Sequence, residues 1–251
     1  MAKLLVPRDS SLAWAMRFLV DPAAVRVDAA AWVFLAIVCV LLPIGALRQH
    51  RRLSVSAERP TRMQIYASAV ATHAGFLLVV WAVTRVDHID LLPPYRLTVG
   101  HLLIGIAALV LGMLPMLDRF QRDDLIARER VRLIAPRSPR EFAAFYGVSA
   151  TAGIAEELAY RGLLFTLLSA LFHAWWPAAV VASAAFGIVH LFQGWKSAGI
   201  AALMGLREHI VVGLTGSLLV AIVVHTLHDA ITGTVVGRRA LREEAAALAV
   251  S

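Results

Sequence analysis

The sequence predicts an all-α, polytopic transmembrane helical bundle of seven or eight spans, on three observations. Of its 251 residues 59% are apolar, and only 16% carry a formal charge. Mean hydropathy is +0.72. Apolar runs recur along the whole chain and are continuous rather than alternating. Lipid offers no partner to backbone N–H and C=O groups, so a spanning segment is a helix or part of a closed barrel, and continuous runs select helices.

The first 28 residues place Lys3, Arg8, Arg17 and Arg26 around Leu12, Trp14, Met16, Phe18 and Leu19. This mixture reads as an interfacial amphipathic segment, without the apolar core and small-residue cleavage site of a secretory signal. A hydrocarbon core of ~30 Å needs about 20 apolar residues, and the runs 29–47, 64–84 and 97–117 supply the first three spans. Loop 48–63 carries Arg48, Arg51, Arg52, Arg59 and Arg62 against Glu58 alone, loop 85–96 is nearly balanced, and loop 118–141 brings seven arginines. The positive-inside rule therefore makes the first and third of these loops cytoplasmic and the second external.

Residues 29–141 thus form a three-helix membrane region with basic loops. Residues 142–236 form a membrane core that concentrates the ionisable groups, and 237–251 are an Ala-rich tail. Apolar runs in the core cover 142–155, 162–172, 176–192, 197–206 and 210–236. A continuous helix over 142–172 gives seven spans and an internal carboxyl end; a break near Gly153 gives eight and an external one. The break is the favoured reading, on grounds given below. Net charge +7 fits basic loops held against anionic lipid. Nucleic acid is excluded as a partner by the lack of a basic folded module with aromatic platforms. Cys39, the single cysteine, forms no intrachain disulfide.

The segment Thr151 to Gly162 places Glu156, Glu157 and Arg161 in apolar surroundings. On a helix Glu157 and Arg161 share a face, while Glu156 points about 100° away from Glu157. Two further runs repeat the four-residue spacing: Phe186 with His190, and His225 with Asp229. Four uncompensated charges, Glu156, Glu157, Arg161 and Asp229, would cost on the order of 10 kcal/mol in a bilayer, comparable to the stability of a domain. They must meet one another or reach water. Such a cluster supports water activation by Glu156 with His190, donors near His225 holding the oxyanion. It equally supports a divalent metal such as zinc on Glu156, His190, His225 and Asp229 that acidifies a bound water.

In this order on successive apolar helices, Glu-Glu-x-x-x-Arg, Phe-x-x-x-His and His-x-x-x-Asp resemble the motifs of the CAAX protease and bacteriocin-processing (CPBP, Abi) family of intramembrane endopeptidases. The flanking Tyr160-Arg161-Gly162-Leu163-Leu164 and Leu214-Thr215-Gly216-Ser217-Leu218 are also similar. The resemblance covers about residues 142–236. It implies Glu156 as general base with His190, Glu157 and Arg161 as a supporting ion pair, and His225 with Asp229 as oxyanion or water-positioning groups. It also implies that the acid pair opens a helix after a short break, hence the break near Gly153. Asp229 stands where the family often has Asn, and an ionised carboxylate cannot donate to an oxyanion. Three roles stay open for it: protonated donor, orienter of His225, or metal ligand.

The expected activity is hydrolysis of a peptide bond in a peptide or protein substrate at the lipid bilayer, near its C-terminal segment, in a multi-pass protein of the bacterial inner membrane. The competing readings are a non-catalytic immunity or partner-binding protein of the same fold and a proton-relay transporter. Retained acid–base residues argue against the first, and the absence of paired interrupted helices argues against the second. His73, His101 and His173 read as packing or interfacial residues, and His228 as a spare ligand. Arg207, Glu208 and His209 read as a loop, a re-entrant bend or a point of substrate entry between apolar runs.

Overall fold

A computed structural model describes residues 25–53, 60–121 and 131–249. The interfacial reading of the amino terminus falls almost wholly outside them. Seven long helices follow one another, and there is no strand among the described residues. Helix α1 runs through Ala29–Ala36, a π-helical stretch Ile37–Leu41 and Leu42–Leu53; α2 is Arg62–Val86 and α3 is Val99–Gln121. Helix α4 comprises Pro139–Glu156, a π-helical stretch Glu157–Leu164 and Phe165–Phe172. Helix α5 is Trp175–Val189, ending in a 3-10 turn His190–Gln193, α6 is Trp195–Thr215 and α7 is Leu218–Leu248.

Local chemistry sets the boundaries. Asp28 caps α1 by accepting from the Ala31 N–H at 3.0 Å. Thr61 and Gln64 form a reciprocal capping box at the start of α2. Ser138 caps α4 with Pro139 in its first turn, and Ser217 caps α7. Gly216, at φ 68°, ends α6 in the left-handed conformation that glycine adopts at little cost.

Five helices are long and apolar enough to cross a membrane: Ala29–Arg51, Arg62–Val86, Trp175–Gln193, Trp195–Thr215 and Leu218–Leu248. Val99–Leu114 is a shorter apolar helix, and α4 carries the ionisable groups. The exposed Trp81, Leu103, Trp176, Leu203 and Val223 form the apolar exterior expected of an integral membrane protein. Inside, α4 is central, with Leu163, Leu164 and Leu167 wholly buried. Small residues let the other helices approach closely. A Cβ on Gly187 of α5 would fall 2.6 Å from the Ala198 carbonyl oxygen of α6.

Two expectations are corrected. The chain does not break near Gly153, so α4 is continuous and the described residues hold seven long helices. Gly153 serves close packing instead: a Cβ there would lie 2.2 Å from Thr226 Oγ1 and 3.0 Å from the Ile222 carbonyl oxygen of α7. Nor do Arg207, Glu208 and His209 form a loop. They lie inside α6, where Glu208 and His209 are buried and Arg207 donates to the Ala108 carbonyl oxygen of α3 at 3.1 Å. Their charge is tolerated because Arg207 and Glu208 pair with each other. The connection falls at Gly216, which divides the apolar run 210–236 between α6 and α7.

Candidate active site within the bundle

The acid pair sits where α4 changes winding. Glu156 ends the α-helical part, and Glu157 and Arg161 belong to the π-helical stretch. Such π-helical insertions are rare and concentrate at functional sites, because they redirect side chains without interrupting the helix.

Glu157 is fully buried. Its Oε1 lies 3.1 Å from Arg161 Nη1 and accepts a hydrogen bond from His225 Nδ1 at 2.7 Å. The guanidinium carbon of Arg161 stands 4.3 Å above the centre of the Phe186 ring, so a quadrupole and a carboxylate together balance the buried cation. With Nδ1 committed to Glu157, His225 presents Nε2 to Glu156 Oε2 at 3.7 Å and to Asp229 Oδ2 at 3.5 Å. Two carboxylate oxygens facing this nitrogen favour an N–H there electrostatically. Asp229 also meets His228 Nδ1 at 3.3 Å, while His228 Nε2 reaches the Gly112 carbonyl oxygen at 3.2 Å.

His190 terminates α5. Its Nδ1 donates to the Phe186 carbonyl oxygen at 2.8 Å, which leaves the Nε2 lone pair unengaged by that bond. The Phe186 ring packs on it at 4.6 Å between centroids. Phe186 therefore contacts both Arg161 and His190, as expected of a residue lining the site.

These groups border a cavity of about 990 Å³ whose wall includes Glu156, Arg161, His190, His225 and Asp229. Glu157 is not among the lining residues; it acts on the site through Arg161 and His225. Among the described residues, no group of three or more His, Cys, Asp or Glu side chains is placed to hold a metal ion.

One residue was misread. His73, expected to be packing, is buried on α2 with Nε2 3.4 Å from Glu156 Oε1 and Nδ1 2.9 Å from Thr151 Oγ1. A search for carboxylates four residues away finds only partners on the same helix. The available signal was simpler: a lone ionisable side chain in the apolar run 64–84.

Residues 138–231 match the family model described as type II CAAX prenyl endopeptidase Rce1-like. That segment is similar to the Rce1-like endopeptidases. The comparison with curated proteins and the comparison with solved structures gave no match. The Rce1-like segment begins at the cap of α4 and ends two residues beyond Asp229, so it contains all six predicted site residues and excludes His73. It supports a CAAX-type intramembrane protease fold.

Proposed function

We propose that the protein is an intramembrane endopeptidase that hydrolyses a peptide bond near the C-terminal segment of a membrane-associated substrate, with water activated by Glu156 and His190. One observation carries this reading. Glu156 and His190, whose ring orientation is fixed through Nδ1, border the same cavity as His225, whose Nε2 faces it between two carboxylates.

The steps follow from these groups. Water, held between Glu156 and the Nε2 of His190, attacks the substrate carbonyl carbon while its proton passes to Glu156. The carbonyl oxygen becomes an oxyanion and accepts from His225 Nε2–H. Glu156 then returns the proton to the leaving nitrogen as the C–N bond breaks, yielding a carboxylic acid and an amine. Glu157 and Arg161 hold His225 in register, and Asp229 orients the same ring instead of donating to the oxyanion. The bacterial inner membrane is the proposed location.

The test is turnover of a quenched peptide by purified protein in detergent. Glu156→Gln and His190→Ala should each lower kcat by about 10²–10⁴-fold, the range for loss of general acid–base catalysis. Wild-type turnover in both variants would refute the hydrolytic reading. A chelator series run in parallel, with zinc restored afterwards, distinguishes glutamate-activated water from metal-activated water.

A further inference from the structure

Glu156 has two oxygens, and only one can point at the reacting water. We propose that His73, on α2 and outside the Rce1-like segment, is a positioning residue that ties down Oε1 of Glu156 so that Oε2 is the oxygen that receives the proton from water. The inference rests on the hydrolytic reading above and specifies how its base is held.

The hydrogen-bond chain fixes which proton sits where. The Thr151 hydroxyl donates its single proton to the Val148 carbonyl oxygen at 3.0 Å. Toward His73 it is therefore an acceptor, and the 2.9 Å contact places a proton on His73 Nδ1. The ring cannot turn over without losing that bond, so Nε2 is aimed at Glu156 Oε1, 3.4 Å away; an ionised carboxylate only accepts, so the tie requires His73 as an imidazolium, with an N–H on both nitrogens. The second oxygen, Oε2, faces the His225 imidazole at 3.7 Å. Glu156 is thus held between imidazoles from α2 and α7, and Thr151 and His73 line up with it across the contact between α2 and α4. An imidazole 6% exposed in a membrane-spanning helix is costly unless both nitrogens are engaged, and here both are.

A simple interhelical tie would need only the Thr151 bond. What that role leaves unexplained is the remaining nitrogen, which meets the one acid of the pair that borders the cavity.

The experiment compares His73→Ala, His73→Gln, Thr151→Val and Glu156→Gln by steady-state turnover of a quenched peptide and by thermal unfolding in detergent. A base displaced by about 1 Å loses on the order of 10²-fold, so His73→Ala should lower kcat by roughly 10–100-fold while KM changes less than about twofold. His73→Gln, whose amide N–H reaches the position of Nε2, should recover kcat to within about fivefold of wild type. Thr151→Val, which removes the acceptor at Nδ1 and keeps the shape, should fall between them. Loss of kcat that follows loss of stability, with no recovery in His73→Gln, would overturn the inference; so would wild-type kcat in His73→Ala. If Glu156→Gln is itself fully active, the hydrolytic reading fails instead. A measurement independent of turnover is ring-¹⁵N NMR of histidine-labelled protein, with the signal assigned by its loss in His73→Gln: a nitrogen of His73 without its proton, whether Nδ1 or Nε2, would also overturn the inference.

Discussion

His225 is approached by three acids, and they have unequal work. Glu157, fully buried and holding both Arg161 and His225 Nδ1, fixes the ring; Asp229, with 36% of its side chain exposed, meets Nε2 from the next turn. Removing the charge at Glu157 leaves a buried guanidinium without its anion, so Glu157→Gln should lower stability by about 3–5 kcal/mol and abolish turnover. Thermal unfolding in detergent reads the first effect, and peptide cleavage the second. Asp229→Asn should behave differently. It exchanges a charge-assisted bond for a neutral one, a difference of about 1 kcal/mol or roughly fivefold in kcat, and leaves unfolding nearly unchanged. Equal damage from the two substitutions would contradict this division of roles. Both pairs, Glu157 with Arg161 and His225 with Asp229, were legible in the sequence because their members lie four apart on one helix. The bonds from Glu157 to His225 and from Glu156 to His73 cross between helices, and no spacing rule reports them.

At the scale of the element, hydropathy located the helices but not their joints. A glycine amid apolar residues is compatible both with a break and with close packing, and only the neighbouring helix decides. At Gly153 it is α7 that decides. A methyl group there would press on Thr226 and the Ile222 carbonyl, so Gly153→Ala should destabilise by about 1–3 kcal/mol, as overpacking does. By separating α4 from α7 it should also lower kcat. Gly147, on the same helix, has nothing within 4 Å of an added Cβ, so Gly147→Ala should stabilise by about 0.5–1 kcal/mol through helix propensity. Calorimetry of the two variants makes the comparison. At the far end of the bundle, Asp28 at the start of α1 and Asp87 at the end of α2 are close enough for their carboxyl groups to interact. Desolvation, and then the Asp28 carboxylate, push Asp87 up to about 6, against a smaller opposing effect of His88. Asp28 is held below its usual range, first by the Ala31 N–H. A raised acid stabilises while protonated, so the Asp87 contribution is complete below the ordinary carboxylate range and is lost as pH rises through about 6. The Asp28 contribution is present above that range and is lost on acidification below it. Unfolding temperature should therefore fall as pH rises from about 4 to about 6.5 and level off above it, and Asp87→Asn should flatten that slope.

For the whole molecule, the charge pattern and the cavity specify one direction of access. The ends of α1, α2, α4 and α7 that bear the basic residues gather on one face, where Arg62 meets Glu141 at 3.8 Å and Arg132 and Arg137 pair with Glu243 and Glu244. The cavity wall extends from Glu156 to Gln49, Pro60, Ile134 and Gln193 on that face. The opposite side is closed. Ile89 and Leu91, in the connection between α2 and α3, are buried in the core, and Leu91 packs where Gly162 of α4 lacks a side chain. The positive-inside rule predicts that the open face is cytoplasmic, and a continuous α4 puts the carboxyl end, with Arg238, Arg239 and Arg242, on the same side as that face. In a Cys39→Ser background, Gln49→Cys should react with a membrane-impermeant maleimide only in vesicles that present the cytoplasmic face, and Leu92→Cys, at a half-exposed position, only in vesicles of the other orientation. The peptide that is cleaved should slow labelling of Gln49→Cys and leave Leu92→Cys untouched, because only the former borders the cavity. Labelling of both positions from one side would remove the seven-helix topology, whereas opposite labelling without protection would keep the topology and move the substrate path elsewhere.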